Sequence, residues 1–96
     1  MAEHRFSPKA VADLEAIFDY TVATWGLSQA LRYVDLIEAA CVELASAPDR
    51  GAPCDHIRVG YRRWSVQRHV IYFRAEDYGV AVIRILHDQM NPALHV

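Results

Sequence analysis

Arginine is the residue type that most clearly suggests a function in this sequence, because its positions are uneven along the chain. Six of the nine arginines lie from Arg58 onward, among runs of β-forming residues. A guanidinium group binds phosphate and carboxylate through paired hydrogen bonds, so several of them on one sheet predict a surface for an anionic partner. The five in the predicted strands and turns are Arg62, Arg63, Arg68, Arg74 and Arg84.

The same arginines could also serve catalysis on RNA. Such a site needs guanidinium groups that stabilise a phosphorane-like transition state, and a second group that moves protons. His87 or Tyr61 could supply that group, and the catalytic hypothesis depends mainly on Arg84 with His87. Strict alternation places Arg84 and His87 on opposite faces of a strand, so they converge only if the strand ends or bulges at Leu86. The alternative for His87 is structural, a histidine at a strand end.

Arg84 itself has two interpretations. It stands between the apolar residues Val82 and Leu86, where a charge is costly unless it is paired or reaches water. The structural interpretation is an ion pair with an acid such as Glu38 or Asp88. The functional interpretation is a guanidinium that a partner binds, in which case an alanine at this position weakens binding more than folding.

Other kinds of site find little support in the sequence. The five histidines do not stand at the spacings of metal-binding pairs, and the two cysteines are far apart. Four scattered glycines cannot form a Gly-rich phosphate loop, and Cys54 beside His56 is a weak sign of a nucleophile. We therefore expect neither a metal ion nor a cofactor.

Two helices are predicted in the first half of the chain. Ser7 provides an N-cap hydroxyl and Pro8 a favourable first helical residue. Apolar residues then recur at helical spacing as far as Trp25, and Gly26 suits a C-cap. A second helix, capped by Ser28 and ending near residue 47, would pack on the first as an antiparallel hairpin.

Three runs of β-forming residues in the second half predict an antiparallel sheet: Tyr61–Val66, His69–Arg74 and Val80–Leu86. Residues 3–7 alternate between polar and apolar and could add an edge strand, while residues 52–59 are predicted to be a connector. The fold class is therefore α+β: a short N-terminal edge strand, an antiparallel two-helix hairpin, then a three-stranded antiparallel sheet.

Two apolar surfaces lack an obvious cover. The last two strands carry apolar residues on both faces, whereas a two-helix hairpin covers only one. The second face should therefore meet another chain or form a concave binding surface. In the second helix Leu31, Leu36 and Val42 lie outside the main apolar stripe, either as scattered exposed side chains or as a surface for a partner.

Length and composition indicate one folded domain spanning residues 1–96, since 53% of the residues are hydrophobic. The net charge of −2 conceals an asymmetry: residues 1–49 carry eight acids and three bases, residues 50–96 four acids and seven bases. Any anionic or acidic partner should therefore meet the second half; the alternative is that the asymmetry belongs to an ordinary solvated surface. No stretch suits a signal peptide or a membrane span, so we expect a cytoplasmic protein, not bound to a membrane, with both cysteines reduced.

A series of short segments follows in a recognisable order from Phe6 to about Asn91. They are Ser7-Pro8, Ala12-Asp13-Leu14, Ile17, Tyr20, Trp25-Gly26, Leu44-Ala45, Pro48, Gly51, Arg58, Gly60-Tyr61-Arg62-Arg63, His69-Val70-Ile71-Tyr72, Ile83-Arg84-Ile85-Leu86-His87 and Met90. In this order they resemble the ParE toxins of bacterial type II toxin–antitoxin systems, within the RelE/ParE superfamily.

The resemblance implies a toxin that is not an enzyme. It implies binding to DNA gyrase with a block of replication, plasmid stabilisation, no specific DNA binding by the toxin alone, and neutralisation in a complex with a ParD-like antitoxin. An antitoxin of this kind would fold an acidic, amphipathic segment onto the toxin. We assign the five arginines named above to target binding. The residues assigned to the antitoxin are Leu31, Leu36, Val42, Val70, Tyr72 and Arg84.

Two other functions remain open. RelE-type toxins, which cut mRNA on the ribosome, carry lysines and arginines on the sheet and a tyrosine or histidine near the chain end. This chain has a single lysine, Lys9, in the first helix, and no tyrosine follows His87. The nuclease hypothesis therefore depends on Arg84 and His87. The third hypothesis is a binding domain with a basic face and no toxicity.

Overall fold

Ser7 begins the first helix as its sequence predicts. In the computed structural model, which describes residues 2–96, its Oγ accepts a hydrogen bond from the N–H of Ala10 at 3.0 Å. Helix α1 spans Pro8–Trp25 and ends at Gly26, whose φ of 93° favours glycine. Helix α2 spans Leu27–Ser46, so Gly26 is the single residue between the helices. The predicted cap at Ser28 is wrong, because Ser28 already lies inside α2.

The apolar stripe of α2 packs as its spacing predicts, whereas that of α1 does so only in part. In α1 burial ends at Thr21, and Trp25, the last of the apolar residues that recur at helical spacing, is 72% exposed. The buried residues of α2 are Ala30, Ile37, Cys41, Leu44 and Ala45. Within residues 2–96 neither helix is both long and apolar enough to cross a bilayer.

Five strands form one sheet, in the order β1-β5-β4-β3-β2. The strands are β1 (Glu3–Phe6), β2 (Ala52–Pro53), β3 (Tyr61–Val66), β4 (His69–Glu76) and β5 (Gly79–His87). The α+β class and the three predicted runs are confirmed, but the sheet is wider than predicted. The edge strand β1 joins it in parallel beside β5, and β2 arises from the start of the predicted connector and pairs antiparallel with β3.

The pairing of β1 with β5 needs a glycine at the start of β5. A Cβ added at Gly79 would lie 2.0 Å from the carbonyl oxygen of Glu3, and the φ of Gly79 is 142°. Both the available space and the backbone conformation therefore exclude a larger residue at this position.

A β-bulge in β5 decides which side chains face the helices. Phe73 pairs with Val82 and Tyr72 with Arg84, so Ile83 is the extra residue. Val82, before the bulge, belongs to the core under the helices. Ile83 packs on the opposite face of the sheet. The bulge thus comes before Arg84 and not at Leu86.

The second face of the sheet is covered by the chain itself. Val70 and Tyr72 are only 2% and 3% exposed, and Ile57 and Val96 pack against the cluster that contains them. The cluster consists of Cys54, Tyr61, Val70, Tyr72 and Leu86. The expectation of a bare sheet face is therefore wrong at this place, because the connector and the last residues of the chain supply the cover that the helices cannot.

Candidate functional site

Arg84 is held inside the fold by a carboxylate from α1. Its Nε and Nη2 donate to the two carboxylate oxygens of Asp13 at 2.7 and 2.8 Å, and its Nη1 donates to the carbonyl oxygen of His95 at 3.0 Å. The side chains of Arg84 and Asp13 are 15% and 14% exposed. Hydrogen bonding to Asp13 raises the pKa of Arg84, which therefore stays charged. The structural interpretation is right in kind, but the suggested partners Glu38 and Asp88 are wrong.

The position of Asp13 follows from the point where β1 stops. The pairing of β1 with β5 ends at Phe6 and Val82, and the chain then turns into α1. Beyond it, Ser7 Oγ donates to the carbonyl oxygen of Ile83 at 2.7 Å, and the N–H of Ile85 donates to Asp13 Oδ2 at 2.9 Å. The first turns of α1 thus supply hydrogen-bond partners for backbone groups of β5 beside the bulge. The Arg84 side chain binds the same Asp13 carboxylate. The assignments of Arg84 to the target and to the antitoxin stay predictions. Most of its guanidinium group already donates to Asp13 and His95.

The candidate catalytic residues lie in different places. Because the bulge precedes Arg84, the spacing of three between Arg84 and His87 still puts them on opposite sides of β5. The ring of His87 stands 5.4 Å from that of His69, whereas Arg84 contacts Asp13 and His95. Tyr61 is buried in the second-face cluster. The convergence that the nuclease hypothesis requires is not found.

The remaining predicted arginines occupy three environments and not one surface. Arg62 Nη1 donates to the carbonyl oxygen of Gly51 at 2.7 Å. Arg63 and Arg74 share the second face, since their partners in register are Tyr72 and Tyr61 of the cluster there.

Arg74 is exposed and donates to Glu76 at 2.6 Å. Arg68 is also exposed, in the turn between β3 and β4. The structure therefore places Arg63, Arg74 and Arg84 on the second face, where Asp13 already engages Arg84, and separates Arg62 and Arg68 from them.

The three leucine and valine positions predicted for the antitoxin are exposed, on two flanks of α2. Leu31, Leu36 and Val42 are 52%, 45% and 56% exposed. Helical spacing puts Leu31 and Val42 on one flank, because eleven residues are close to three whole turns, while Leu36 lies on the other. Two large exposed side chains that sequence reasoning missed, Tyr20 and Trp25, line the same cavity as Leu36.

That cavity, which we call the histidine cleft, has a volume of about 660 Å³ and opens beside α2 and the turn between β3 and β4. At its inner wall Tyr33 Oη lies 2.5 Å from His69 Nδ1, and His69 meets His87 edge to face. Burial, with a smaller effect of the neighbouring His87, lowers the pKa of His69 against the opposing carboxylates of Asp88 and Asp13. Burial also raises the pKa of Tyr33. No local pattern predicts this cluster, because 36 positions separate Tyr33 from His69.

The cysteines do not form a reactive site. Cys41 and Cys54 are both buried and unpaired. Burial, followed by the charge of Glu38, raises the pKa of Cys41 to about 12, and burial raises that of Cys54 although Arg63 opposes it. A thiol with a raised pKa is a poor nucleophile at neutral pH. Among residues 2–96 no three metal-ligating side chains lie close enough together to hold an ion.

Comparison with known proteins gives concordant similarities. The sequence profile of the family described as "ParE toxin of type II toxin-antitoxin system, parDE" matches residues 4–92. Toxin ParE1 of Caulobacter vibrioides is 36% identical over 96 residues, which cover 100% of this chain and 99% of that protein. Toxin ParE1 of Mycobacterium tuberculosis is 37% identical over 91 residues, 94% of this chain and 93% of its own length.

A solved structure shares the fold. A chain of the chromosomal ParDE toxin–antitoxin system from P. aeruginosa superposes with a TM-score of 0.77 at 27% identity, and the match covers 91% of this chain and 96% of that chain. The shared architecture thus extends over nearly all the helices and strands described above.

Proposed function

Since this chain belongs to the ParE toxin family of type II toxin–antitoxin systems, we propose that it arrests bacterial growth in the cytoplasm by binding DNA gyrase and that a ParD-like antitoxin neutralises it. The observation that carries a binding function over a catalytic one is the separation of Arg84 from His87. Arg84 is committed to Asp13, and His87 faces the histidine cleft. A site for RNA cleavage would need both at one phosphate.

The target surface that we propose is the basic part of the second sheet face. Arg63 and Arg74 flank the buried tyrosines there, and Arg58 lies over Tyr61, with 5.8 Å from its guanidinium carbon to the ring centroid. These groups can meet carboxylates of a protein partner without leaving the fold, unlike Arg84.

The antitoxin surface that we propose starts at Leu31 and Val42 on one flank of α2. These exposed apolar side chains gain a cover when a partner segment folds onto the helix. Contact with Val70 and Tyr72 additionally requires the partner to displace the segments of Ile57 and Val96 that cover them. Binding at Leu31 and Val42 therefore needs no rearrangement of the toxin, whereas binding at Val70 and Tyr72 does. The flank of α2 is the first docking position.

The test is to induce the chain in bacteria without an antitoxin and to pulse-label DNA and protein synthesis soon afterwards. We expect DNA synthesis to fall first, and purified gyrase to lose supercoiling activity when the protein is added. An early fall of protein synthesis would support the RelE-type nuclease instead. If neither synthesis falls while the folded protein accumulates, the toxin proposal fails and the chain is a binding domain.

A further inference from the structure

We propose that the histidine cleft binds a nucleoside phosphate, with the base against Trp25 and the phosphate between Arg68, His69 and His87. The cleft volume of about 660 Å³ suits one such ligand, since small-molecule sites span roughly 300–1,000 Å³. The cleft includes Arg68 and Leu36, which the sequence analysis assigned to the target and the antitoxin, but it lies apart from the surfaces of Arg63 with Arg74 and of Leu31 with Val42 proposed above, and the inference does not depend on those surfaces.

The charge of the cleft is the first argument for an anionic ligand. Its lining includes Arg32, Arg68, His69 and His87 and, within residues 2–96, no carboxylate. Two other hollows of the same surface are acidic: Glu15, Asp19 and Glu38 line one, Glu76 and Asp77 the other. Arg32 and Arg68 thus bring positive charge to the place where a phosphate would enter, and the nearest carboxylate, that of Asp88, contacts His87 from outside the lining.

The two histidines are held so that they can donate hydrogen bonds to a phosphate. When Tyr33 donates to Nδ1 of His69, at 2.5 Å, the neutral ring carries its proton on Nε2. When the ring is protonated, Nδ1 donates to Tyr33, and Tyr33 donates to the carbonyl oxygen of Val66 at 3.3 Å. Tyr33 therefore permits a donating Nε2 in both protonation states.

His87, the second histidine of the cleft, also has hydrogen-bond partners at its Nδ1. Its Nδ1 can accept from the N–H of Gln89 at 3.2 Å when the ring is neutral, and the proton is then on Nε2. When the ring is protonated, Nδ1 donates to Asp88 Oδ1 at 3.1 Å. With ring centroids 5.4 Å apart, the two imidazoles can reach oxygens of one phosphate.

The aromatic rim of the cleft is the argument for a base. Trp25 and Tyr20 are 72% and 69% exposed, although large aromatic side chains are usually well buried. Exposed rings beside basic groups are how proteins bind single nucleotides and single strands, because every base presents a face that can stack. The amides of Gln29 and Gln67 also line the cleft and can pair with the edges of a base.

Trp25 provides the test. The chain has two tryptophans, so Trp64→Phe leaves Trp25 as the fluorescent reporter in the cleft. We expect 5′-AMP to quench it saturably, and adenosine and inorganic phosphate, which each carry half of the ligand, to bind at least about 10-fold more weakly. A short single-stranded oligothymidylate, followed by the anisotropy of an attached dye, distinguishes a nucleotide within a strand from a free one.

Three variants assign the binding to the cleft. Arg68→Ala and, by calorimetry, Trp25→Ala should weaken binding of the better probe by about 10-fold. Arg50→Ala, an exposed arginine outside the cleft, is the matched control and should leave binding unchanged. Circular dichroism and the fluorescence of the free proteins verify that each variant is folded.

The outcomes separate clearly. Binding of 5′-AMP that depends on Arg68 and Trp25 supports a free nucleotide as the ligand, and the same dependence with the oligonucleotide alone supports a single strand. Binding that survives both substitutions lies outside the cleft and overturns the proposal. So does the failure of all probes to bind at low ionic strength, where phosphate contacts are strongest.

Discussion

The guanidinium of Arg84 and the carboxylate of Asp13 form two parallel hydrogen bonds, 2.7 and 2.8 Å long, across 71 positions of the sequence. The same carboxylate accepts from the backbone N–H of Ile85 at 2.9 Å. One side chain of α1 thus fixes both a charge and a backbone donor of β5, so the helix cannot shift along the strand without leaving both groups unsatisfied.

This pair predicts a stability effect. Arg84→Ala leaves the Asp13 carboxylate largely buried without its cation, and we expect the free energy of unfolding to fall by about 3 kcal/mol. Chemical denaturation measures this. Arg74→Ala, which breaks an exposed pair with Glu76, is the control and should cause no measurable change. An Arg84→Ala protein that is as stable as the parent but no longer toxic would restore the functional interpretation of Arg84.

Gly79, at the start of β5, predicts a second effect on stability. Gly79→Ala places a Cβ 2.0 Å from the carbonyl oxygen of Glu3, so we expect β1 to detach and unfolding free energy to fall by more than about 2 kcal/mol. Gly60→Ala shares the strained positive φ, here 85°, but meets nothing within 4 Å. It should cost about 1 kcal/mol. Equal effects of the two substitutions would show that backbone strain, and not the contact with β1, decides.

The lowered pKa of His69 predicts how stability depends on pH. Because the unfolded pKa is about 6.5 and the folded one lies below it, the unfolded state binds more protons between the two values. Unfolding free energy should therefore fall as the pH falls below about 6.5, until the pH reaches the folded pKa. Denaturation at a series of pH values measures the slope. His69→Gln should flatten it, and His56→Gln, in an exposed loop, should not; a slope unchanged in His69→Gln would assign it elsewhere.

The two flanks of α2 predict unequal effects on antitoxin binding. Leu31→Asp with Val42→Asp puts charge on the proposed docking flank, and we expect the affinity for the cognate antitoxin to fall by about 10-fold or more. Leu36→Asp, on the opposite flank, should change it less. Surface plasmon resonance on the purified proteins gives both values. The reverse order would move the antitoxin to the histidine cleft side of the helix.

The exposed apolar side chains of α2 also predict how the protein behaves without a partner. Without an antitoxin we expect self-association, since exposed apolar side chains on α2 then remain in water. Analytical ultracentrifugation of the parent chain and of Leu31→Asp with Val42→Asp would test this. A parent chain that is monomeric at high concentration would contradict the proposed docking flank.

The local signals of the sequence were sufficient for most of the fold. Ser7 with Pro8 predicted the start of α1, and the β-forming runs predicted β3, β4 and β5 nearly to the residue. Such features need only neighbouring residues to be effective: a hydroxyl that caps, a proline that fixes φ, an alternation that matches a pleat. The order of these segments was also specific enough to indicate the family that the comparisons confirm.

The candidate site residues make contacts that no local sequence pattern contains. The partner of Arg84 is 71 positions away, and Tyr33 reaches His69 across 36. The bulge at Ile83 changed the face of the residues after it, and the cover over Val70 and Tyr72 came from Ile57 and Val96.

The sequence by itself therefore determined the elements and the family of this protein, because propensity, capping and alternation act over a few residues. Tertiary structure alone decided that Arg84 pairs with Asp13, that the second sheet face is covered and that His69 contacts His87. These contacts depend on distances between segments that are far apart in the sequence.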